Sequence, residues 1–416
     1  MASYIPRVID TEITRALTSS GAVVLEGPRA VGKTESGRQF CNSELRLDSA
    51  DPLAELARIQ PDTALEGRTP RLLDEYQLSP GLWNAVRHEI DDRNKRGQFI
   101  LTGSALPSSD PLRHSGAGRF RHIGMRTMTL AETGHSTAEI SLKQLLTGAD
   151  ISLAKSEISF KDVIARLVVG GWPGWYDIAE EDAQLQASAY LTDLAQHDFP
   201  QIGGPNRDPR RMMSLLRAIA GVLAQPASFA AITRRMRDAE SRSFDERGIA
   251  ELVDLAEQMF VLEDQPAWAP KLRSRQVIHQ SPNRHLADTS LAAALLGAKS
   301  ERLLAEPETL GFFFESQVVH DVNVYAQAAY ARGVFHYRDA KGRDEIDVIV
   351  EASDGSWIGI EVKLTAQSAD QAAKNLLRVA AKIERQPTHL VVMVPTGIAH
   401  RRQDGVLVIP LTCLGP

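Results

Sequence analysis

The first third of the chain alternates short apolar runs with longer amphipathic stretches. Three of the runs, Ala22–Glu26, Pro70–Glu75 and Gln98–Ser104, have apolar centres and end in polar or charged residues. Runs of this length indicate buried strands, and their alternation with helical stretches predicts a parallel α/β sheet over residues 1–135. Ligands bind at the carboxyl ends of the strands in such sheets, so the residues that close these runs form the first candidate site.

The middle of the chain has the apolar spacing of helices. Amphipathic helices are predicted at Lys161–Val169 and Asp182–Phe199, and the polar residues 134–160 are predicted to be a connection. A winged helix-turn-helix is predicted over residues 205–268. Its predicted parts are Arg210–Leu223, Phe229–Met236, a third helix opened by a capping box at Ser243–Glu246 and continuing to about Met259, and a wing strand at Val261–Glu263.

A second α/β pattern begins near residue 301. A helix at Gly311–Gln327 is followed by short strands, and a second helix at Ser368–Arg385 interrupts them. The predicted strands are Val334–Tyr337, Glu345–Glu351, Trp357–Lys363, Leu390–Val394 and Val406–Pro410. The fold class is therefore predicted to be α/β, with a parallel-sheet domain at 1–135, a helical and winged-helix-like segment at 136–300 and a second α/β domain at 301–416.

A glycine-rich loop follows the first apolar run. Its sequence is Gly27-Pro28-Arg29-Ala30-Val31-Gly32-Lys33-Thr34, which has the G-x-x-x-x-G-K-T spacing, and a helix is predicted directly after it at Glu35–Phe40. Strand, loop and helix together are the context in which this pattern binds phosphate. The loop amides surround the phosphates, Lys33 contacts the β and γ phosphates, and the Thr34 hydroxyl binds Mg²⁺. The loop thus predicts ATP and Mg²⁺ as ligands.

The other two apolar runs end in groups that complete a hydrolytic site. Asp74 is predicted to hold Mg²⁺ through water, and Glu75 to polarise the attacking water, because phosphoryl transfer requires positioning and charge neutralisation. Thr102 or Ser104 is predicted to sense the γ phosphate; the alternative is an ordinary Gly-Ser turn after a core strand. Arg119 follows a glycine-rich loop (residues 108–118) and is the candidate arginine finger.

Carboxylates and a lysine recur with a second spacing in the C-terminal part. Asp347 lies near the start of one predicted strand, and Glu361 and Lys363 share one face of the next strand. Pairing of the two strands brings Asp347 beside Glu361, where both can bind Mg²⁺ or Mn²⁺ while Lys363 orients water and stabilises charge on a phosphate. Glu315, on the preceding helix, is predicted to complete the metal cluster. The alternative is a Glu361–Lys363 pair on a strand surface.

Two local groups of basic residues bear on nucleic-acid binding. Residues 201–250 contain nine Arg or Lys and five Asp or Glu, a local charge of +4, which places Arg234, Arg235 and Arg237 near phosphates if the winged helix binds DNA. The alternative, favoured by the interleaved acids, is a helical module that contacts its own chain or a protein. Near the C-terminus one predicted helical face carries Lys374, Arg378, Lys382 and Arg385, either along a phosphate backbone or on a solvated surface.

Composition narrows the class of protein. The chain has 416 residues, which is enough for two or three domains, with 43% hydrophobic and 24% charged residues, as in ordinary globular proteins. The 47 basic and 53 acidic residues give a net charge of −6, which argues against indiscriminate nucleic-acid binding. Cys41 and Cys413 are far apart and lack metal-ligand spacing, and no run of apolar residues spans a membrane. We therefore expect a cytoplasmic protein.

Taken together, these motifs resemble the bacterial and archaeal AAA-type ATPases that carry a C-terminal domain of unknown function with a PD-(D/E)xK, restriction-endonuclease-like core. The matching segments are Tyr4–Arg7, Gly27–Thr34, Leu73–Gln77, Leu101–Ser104, Gly170–Pro173, Ser281–Asn283, Leu286–Asp288, Phe314–Glu315, Glu345–Asp347 and Glu361–Lys363. The resemblance implies Mg²⁺-dependent ATP binding, a central strand order in which the third apolar run lies between the other two, and a nuclease-like C-terminal domain. The chain departs from the family at Asn283, where a lysine is usual.

Three functional hypotheses follow from these features. The first is an ATPase whose nucleotide state controls a nuclease-like domain that interacts with DNA or RNA. The second is a nucleotide-dependent switch or DNA-binding regulator in which the nuclease-like core is a catalytically silent scaffold. The third, an interaction protein with a relic loop, is disfavoured because Lys33, Thr34, Asp74 and Glu75 are all present. A homo-oligomer is also expected, since ATPases of this kind often use a neighbour's arginine.

Overall fold

The structure is a computed structural model and describes most of the chain. The described residues are 4–103, 116–203, 208–239, 246–270, 280–339 and 342–416. Ser104, most of the loop 108–118 and the capping residues Ser243–Asp245 lie outside them. The chain folds into two compact units, residues 1–126 with 258–260, and residues 127–257 with 261–416.

The first unit is a parallel sheet with helices. Its elements are α1 Asp10–Ser19, β1 Ala22–Glu26, α2 Lys33–Phe40, β2 Ser43–Arg46, α3 Pro52–Ile59, β3 Arg71–Asp74, α4 Leu82–Arg93, β4 Phe99–Thr102 and β5 Phe120–Gly124. The strand order is β2-β3-β4-β1-β5, and every pairing is parallel. β3 and β4 are buried throughout, as apolar runs between layers of helices require. The predicted placement of β4 between β1 and β3 is therefore present in the structure.

The second unit begins with helices. They are α5 Leu142–Leu146, preceded by the short strand β6 Ile140–Ser141, then α6 Phe160–Val169, α7 Glu180–Asp193, α8 Phe199–Gly203, α9 Pro209–Ala220, α10 Phe229–Ala239 and α11 Glu246–Gln258. α6 begins at a capping box formed by Ser159 and Asp162. A π-helical turn at Leu194–Asp198 divides the single helix that the sequence predicted over 182–199.

The helices α9, α10 and α11 are followed by a two-stranded hairpin. The strands β7 Leu262–Gln265 and β8 Asn283–Leu286 form an antiparallel hairpin. Leu223 and Pro226, between α9 and α10, each form a bridge to β8. The three helices and β7 follow the order that the sequence predicted for residues 205–268, whereas the pairing with β8 was not predicted, and the winged-helix fold itself stays a prediction.

The chain ends in a mixed sheet flanked by helices. The remaining elements are α12 Thr289–Leu296, α13 Ser300–Ala305, α14 Pro307–Ala328, β9 Gly333–Arg338, β10 Glu345–Glu351, β11 Trp357–Val362, α15 Ala369–Ala380, β12 His389–Val394, β13 His400–Arg401, β14 Leu407–Pro410 and β15 Leu414–Gly415. The six-stranded sheet has the order β13-β14-β12-β11-β10-β9. Apolar residues of α15, including Leu376 and Val379, pack on Trp357 and Val392 of this sheet.

The connection predicted over residues 134–160 is partly ordered structure. β6 pairs with the C-terminal strand β15, and Leu142, Leu145 and Leu146 of α5 are buried. This pairing could not be predicted, because the two strands are two residues long and Ile140 and Leu414 lie 274 positions apart. In the described part of the chain, no helix is long and apolar enough to cross a membrane.

Candidate functional site

The glycine loop joins the end of β1 to the start of α2 and has a left-handed backbone at several positions. Gly27 has φ 150°, Ala30 has φ 63° and Gly32 has φ 100°. A Cβ added at Gly27 would lie 2.2 Å from the Met125 carbonyl oxygen, so only glycine fits there. The loop and the N-terminus of α2 have the arrangement that presents backbone amides to a phosphate.

Lys33 lies inside this loop. Its Nζ donates hydrogen bonds to the carbonyl oxygens of Gly27 at 2.8 Å and Pro28 at 2.7 Å. Burial lowers the pKa of Lys33 to about 8, and the charges of Glu75 and Asp74 oppose the shift. The ammonium group is therefore still charged near neutral pH, where it can bind phosphate oxygens.

Hydroxyl and carboxylate oxygens meet at the ends of β3 and β4. The Thr34 hydroxyl donates to Asp74 Oδ1 at 2.8 Å, and the Thr102 hydroxyl donates to the same oxygen. Asp74 is only 5% exposed. Hard oxygen ligands of this kind fit Mg²⁺, which Thr34 and Asp74 would hold directly or through water.

Glu75 directly follows β3 and has a left-handed backbone with φ 55°. Its carboxylate accepts a hydrogen bond from the side-chain amide of Gln77. Burial raises the pKa of Glu75; the Gln77 hydrogen bond lowers it, and the Asp74 charge raises it further. A carboxylate with a raised pKa, held beside the phosphate loop, is suited to accept a proton from water. Gln77 was not identified from the sequence as a site residue.

Two residues predicted for this site are not brought to the loop by the described structure. Arg119 is exposed, and its guanidinium pairs with Asp91 at 3.0 and 3.1 Å. Its role as an arginine finger stays a prediction. Ser104 lies outside the described residues, whereas the other γ-phosphate candidate, Thr102, contacts Asp74.

The second predicted cluster forms where β10 pairs with β11. The register pairs Val348 with Ile360, so Asp347 and Glu361 come next to each other along the two strands. Lys363 Nζ lies 3.1 Å from Glu361 Oε1 and 3.8 Å from Asp347 Oδ2. Asp347 Oδ2 also accepts a hydrogen bond from the Val362 amide at 2.7 Å. The structure therefore brings these three predicted side chains together.

The carboxyl groups of this cluster have raised pKa values and so bind protons more tightly than exposed carboxyl groups do. Burial raises the pKa of Glu361 to about 8, Asp347 raises it further, and Lys363 opposes the shift. Burial, followed by the charge of Asp347, raises the pKa of Glu315 well above its usual value. A divalent cation would displace these protons, because carboxylates bind metal in the ionised form.

Metal binding by this cluster would depend on three acidic side chains, Glu315, Asp347 and Glu361. Among the described residues, no group of three or more His, Cys, Asp or Glu side chains is arranged to hold a metal ion. Glu315 of α14 is partly buried, and the charges of Asp347 and Lys363 shift its pKa. The set of Glu315, Asp347 and Glu361 as metal ligands therefore stays a prediction.

Some of the basic residues predicted to contact phosphates near the C-terminus form ion pairs or hydrogen bonds within the protein. Arg378 of α15 and Lys382, which follows the end of this helix, both bond the buried carboxylate of Asp344. Lys374 is exposed, and Arg385 bonds the Asp354 carbonyl oxygen at 2.8 Å. This stripe is thus largely a set of ion pairs and hydrogen bonds at the protein surface, and less of it is available to a phosphate backbone than the spacing suggested.

The helix α11, the third helix of the predicted winged helix, has a mainly acidic exposed surface. The exposed charged residues of α11 are Glu246, Arg247, Glu251, Asp254 and Glu257, four acids and one base. Arg234, Arg235 and Arg237 are exposed on α10. A recognition helix lies against phosphates in the major groove, so the charge of α11 disfavours that docking mode.

A buried polar network begins directly after the first unit. The Thr127 hydroxyl donates to Asp288 Oδ2 at 2.7 Å and lies 2.9 Å from His320 Nε2. Asp321 Oδ2 accepts from the Leu130 amide at 3.1 Å. His320 and Asp321 belong to α14, the helix that also carries Glu315. The segment 127–130 is therefore fixed to the helix of the second cluster.

Two buried histidines near this helix are neutral. His285 Nδ1 lies 3.0 Å from the Ser316 hydroxyl, and Nε2 of both His285 and His336 lies without a hydrogen-bond partner among the described residues. Burial lowers the pKa of each to about 4. Protonation of either imidazole therefore favours the unfolded chain.

His285→Gln is expected to reduce the acid sensitivity of the second unit. The folded pKa lies below the unfolded value of 6.5, so wild type loses stability as pH falls from 7 towards 4. For one such histidine the loss by pH 5 is about 2 kcal/mol. The free energy of unfolding is measured in urea at pH 7 and pH 5. The difference in this free energy between wild type and His285→Gln should change by that amount from one pH to the other. The exposed His400→Gln should change nothing, and an equal response of both variants would contradict the prediction.

Three segments of the chain match known protein families. Residues 19–134 match the AAA domain family. This match supports an AAA-type ATPase domain in the first unit, in agreement with its strand order and glycine loop. Residues 160–302 and 310–414 match two families described as domains of unknown function, DUF8612 and DUF4143. A restriction-endonuclease-like core at the C-terminus accordingly stays a prediction.

Relatives along nearly the whole chain are known in mycobacteria. The uncharacterized proteins Mb2031c of Mycobacterium bovis and Rv2008c of Mycobacterium tuberculosis are each 25% identical over 408 residues, covering 96% of this chain and 82% of the relative. Among solved structures, the Walker-type ATPase of Pyrococcus abyssi has a TM-score of 0.42 at 13% identity, covering 70% of this chain and 96% of that one. AMPPCP-bound DnaA of Aquifex aeolicus has a TM-score of 0.28 at 13% identity, with coverages of 62% and 89%.

Proposed function

We propose that the protein is a Mg²⁺-dependent ATPase whose nucleotide state controls a nuclease-like site in the second unit. The ATPase part of this proposal is supported by the glycine loop, which surrounds Lys33, and by the hydrogen bond from Thr34 to Asp74. Glu75 activates the water, and Lys33 neutralises the phosphates. ATP is the nucleotide, and Mg²⁺ is the cation that the oxygen ligands Thr34 and Asp74 fit.

The nuclease-like part of this proposal is supported by Lys363, which bridges Asp347 and Glu361. Two carboxylates and a lysine on paired strands are suited to hold Mg²⁺ or Mn²⁺ and to stabilise charge on a phosphodiester. The substrate class is a nucleic acid, DNA or RNA.

Control by nucleotide is supported by the route from the ATPase to this cluster. Thr127 is the first residue of the second unit along the chain, and it contacts His320 of α14. Five residues earlier, about one and a half turns, the same helix carries Glu315. A change at the end of the ATPase domain therefore reaches α14 through buried hydrogen bonds, and a rigid helix transmits it to the carboxylate cluster.

A second candidate is a nucleotide-dependent switch with a silent nuclease-like scaffold. It is favoured by the incomplete metal cluster of the described residues and by the acidic α11. In this case the second unit binds a protein or nucleic acid according to nucleotide state and cleaves nothing.

Cleavage assays decide between the two. Plasmid DNA and single-stranded RNA are incubated with Mg²⁺ or Mn²⁺, with and without ATP, using wild type, Lys363→Ala, Lys33→Ala and the exposed control Lys374→Ala. We expect cleavage by wild type and Lys374→Ala, a loss of at least about 100-fold in Lys363→Ala, and loss of the ATP effect in Lys33→Ala. No cleavage under any condition would favour the switch.

A further inference from the structure

The residues before α1 hold the phosphate loop from its outer side. Arg7 Nη1 donates to the Val31 carbonyl oxygen at 3.0 Å, and Arg7 Nη2 donates to the Arg126 carbonyl oxygen at 2.7 Å. Arg7 is only 8% exposed. A buried guanidinium that spans two backbone carbonyls is costly to desolvate, which indicates a specific task.

The position of Val31 indicates what the hydrogen bond from Arg7 does to the loop. Val31 lies between Ala30 and Gly32, both of which have a left-handed backbone. In a trans peptide the C=O and the following N–H point in opposite directions, so holding the Val31 carbonyl at Arg7 directs the Gly32 amide away from Arg7. That is the orientation an amide needs to face a phosphate within the loop.

Further hydrogen bonds fix Arg7 itself. The Arg7 amide donates to Asp10 Oδ2 at 2.8 Å, and the Tyr4 hydroxyl donates to Asp10 Oδ1 at 2.8 Å. The Ser36 hydroxyl, in α2, lies 2.9 Å from the same Tyr4 oxygen. The segment Tyr4–Asp10 thus contacts both the loop and the helix that follows it.

We propose that Arg7 is a positioning residue for nucleotide binding, which sets the Val31–Gly32 peptide for the phosphates and ties the loop to Arg126, where the chain leaves the ATPase unit. The inference rests on the proposed binding of ATP by the loop. Arg7 touches no reacting atom in this account, because its guanidinium is occupied by the two carbonyls. Since the loop binds phosphate before and during reaction alike, losing Arg7 raises KM more than it lowers kcat.

Nucleotide titration of the full-length protein tests this proposal. The affinity for ATP with Mg²⁺ and the binding stoichiometry are measured by calorimetry, and kcat and KM by phosphate release, for wild type, Arg7→Met, Arg7→Lys and Arg15→Met. We expect Arg7→Met to raise Kd and KM at least about tenfold, the effect of losing a hydrogen bond from a charged group, with kcat within about threefold. Arg7→Lys keeps the charge but has one nitrogen for two carbonyls, so its Kd should lie between those of wild type and Arg7→Met.

The control and the stoichiometry separate positioning from folding. Arg15→Met removes an exposed arginine from α1 and should leave Kd unchanged. A merely structural Arg7 would lower the stoichiometry at unchanged Kd, and that result overturns the proposal. If Arg7→Met does not fold, Arg7→Lys decides: a raised Kd supports positioning, and a wild-type Kd contradicts it. Failure of wild type to bind ATP would instead refute the proposed function.

Discussion

Glu75→Gln is expected to abolish most ATP turnover while leaving the nucleotide bound. Glu75 is the carboxylate beside the loop whose pKa burial raises, and a glutamine in its place cannot accept a proton from water. Loss of a general base at such a site costs about 10²–10⁴-fold in rate. The affinity for ATP should change little, because Lys33 and the loop amides hold the phosphates. Phosphate release and calorimetric titration of the same preparation measure the two effects.

Two comparisons make the Glu75 result specific. Lys33→Ala should weaken binding itself, since the ammonium group lies within the loop. Glu55→Gln changes an exposed carboxylate of α3 and should leave both rate and affinity unchanged. If Glu75→Gln hydrolysed ATP at the wild-type rate, another group would have to activate the water, and the assignment of Glu75 would be wrong.

The parallel sheet of the ATPase unit was largely predictable because its signals are local. The apolar run Ala22–Glu26 became β1 with the predicted bounds, and the run at Gln98–Ser104 became the shorter β4. Their order in the sheet could not be worked out from these runs alone. It came from the resemblance, which the order β2-β3-β4-β1-β5 bears out.

The side-chain contacts of the sites were less predictable, because they depend on residues distant in sequence. The sequence predicted Thr102 either to sense the γ phosphate or to belong to an ordinary turn, and did not predict that it bonds the oxygen of Asp74 that Thr34 bonds. Gln77 bonds Glu75, a contact that was not predicted although Gln77 lies in the matching segment Leu73–Gln77. Alternation along a strand did predict that Glu361 and Lys363 share a face, since that relation spans only two residues.

Charge counts were the least informative part of the sequence. The local charge of +4 over residues 201–250 suggested a basic face, but the exposed residues of α11 are mainly acidic. The predicted basic stripe is only partly helical, because α15 ends at Ala380 before Lys382 and Arg385, and both Arg378 and Lys382 bond Asp344. A count cannot reveal which charges the fold neutralises, because buried partners such as Asp344 come from other elements.

Contacts between residues distant in sequence also explain two motifs of the middle segment, Gly170–Pro173 and Leu286–Asp288. A Cβ added at Gly171 would lie 2.0 Å from the Met128 carbonyl oxygen, so the glycine allows the two backbones to approach. The Gly171 amide donates to Asp288 Oδ2 at 3.0 Å, and the Ser290 amide donates to Asp288 Oδ1 at 2.9 Å. Asp288 therefore connects three segments and caps the helix α12.

Asp288→Asn is expected to destabilise the second unit by about 3 kcal/mol, because it leaves buried donors without an acceptor. Asp288 is 5% exposed, and each of its oxygens accepts more than one hydrogen bond. An asparagine must turn its NH₂ group towards one of these sets of donors, whichever way its amide is oriented. Urea unfolding followed by tryptophan fluorescence measures the loss, since four of the five tryptophans lie in the second unit.

The matched control is Asp193→Asn, which makes the same chemical change at an exposed position of α7 and should alter stability by less than about 0.5 kcal/mol. Equal stability of Asp288→Asn and wild type would show that the network is dispensable for folding. The predicted loss has a functional consequence as well. Thr127 contacts Asp288 and His320 together, so a weakened network should also weaken any effect of ATP on the Asp347–Glu361–Lys363 cluster. An unchanged ATP effect in a folded Asp288→Asn protein would exclude this route of coupling.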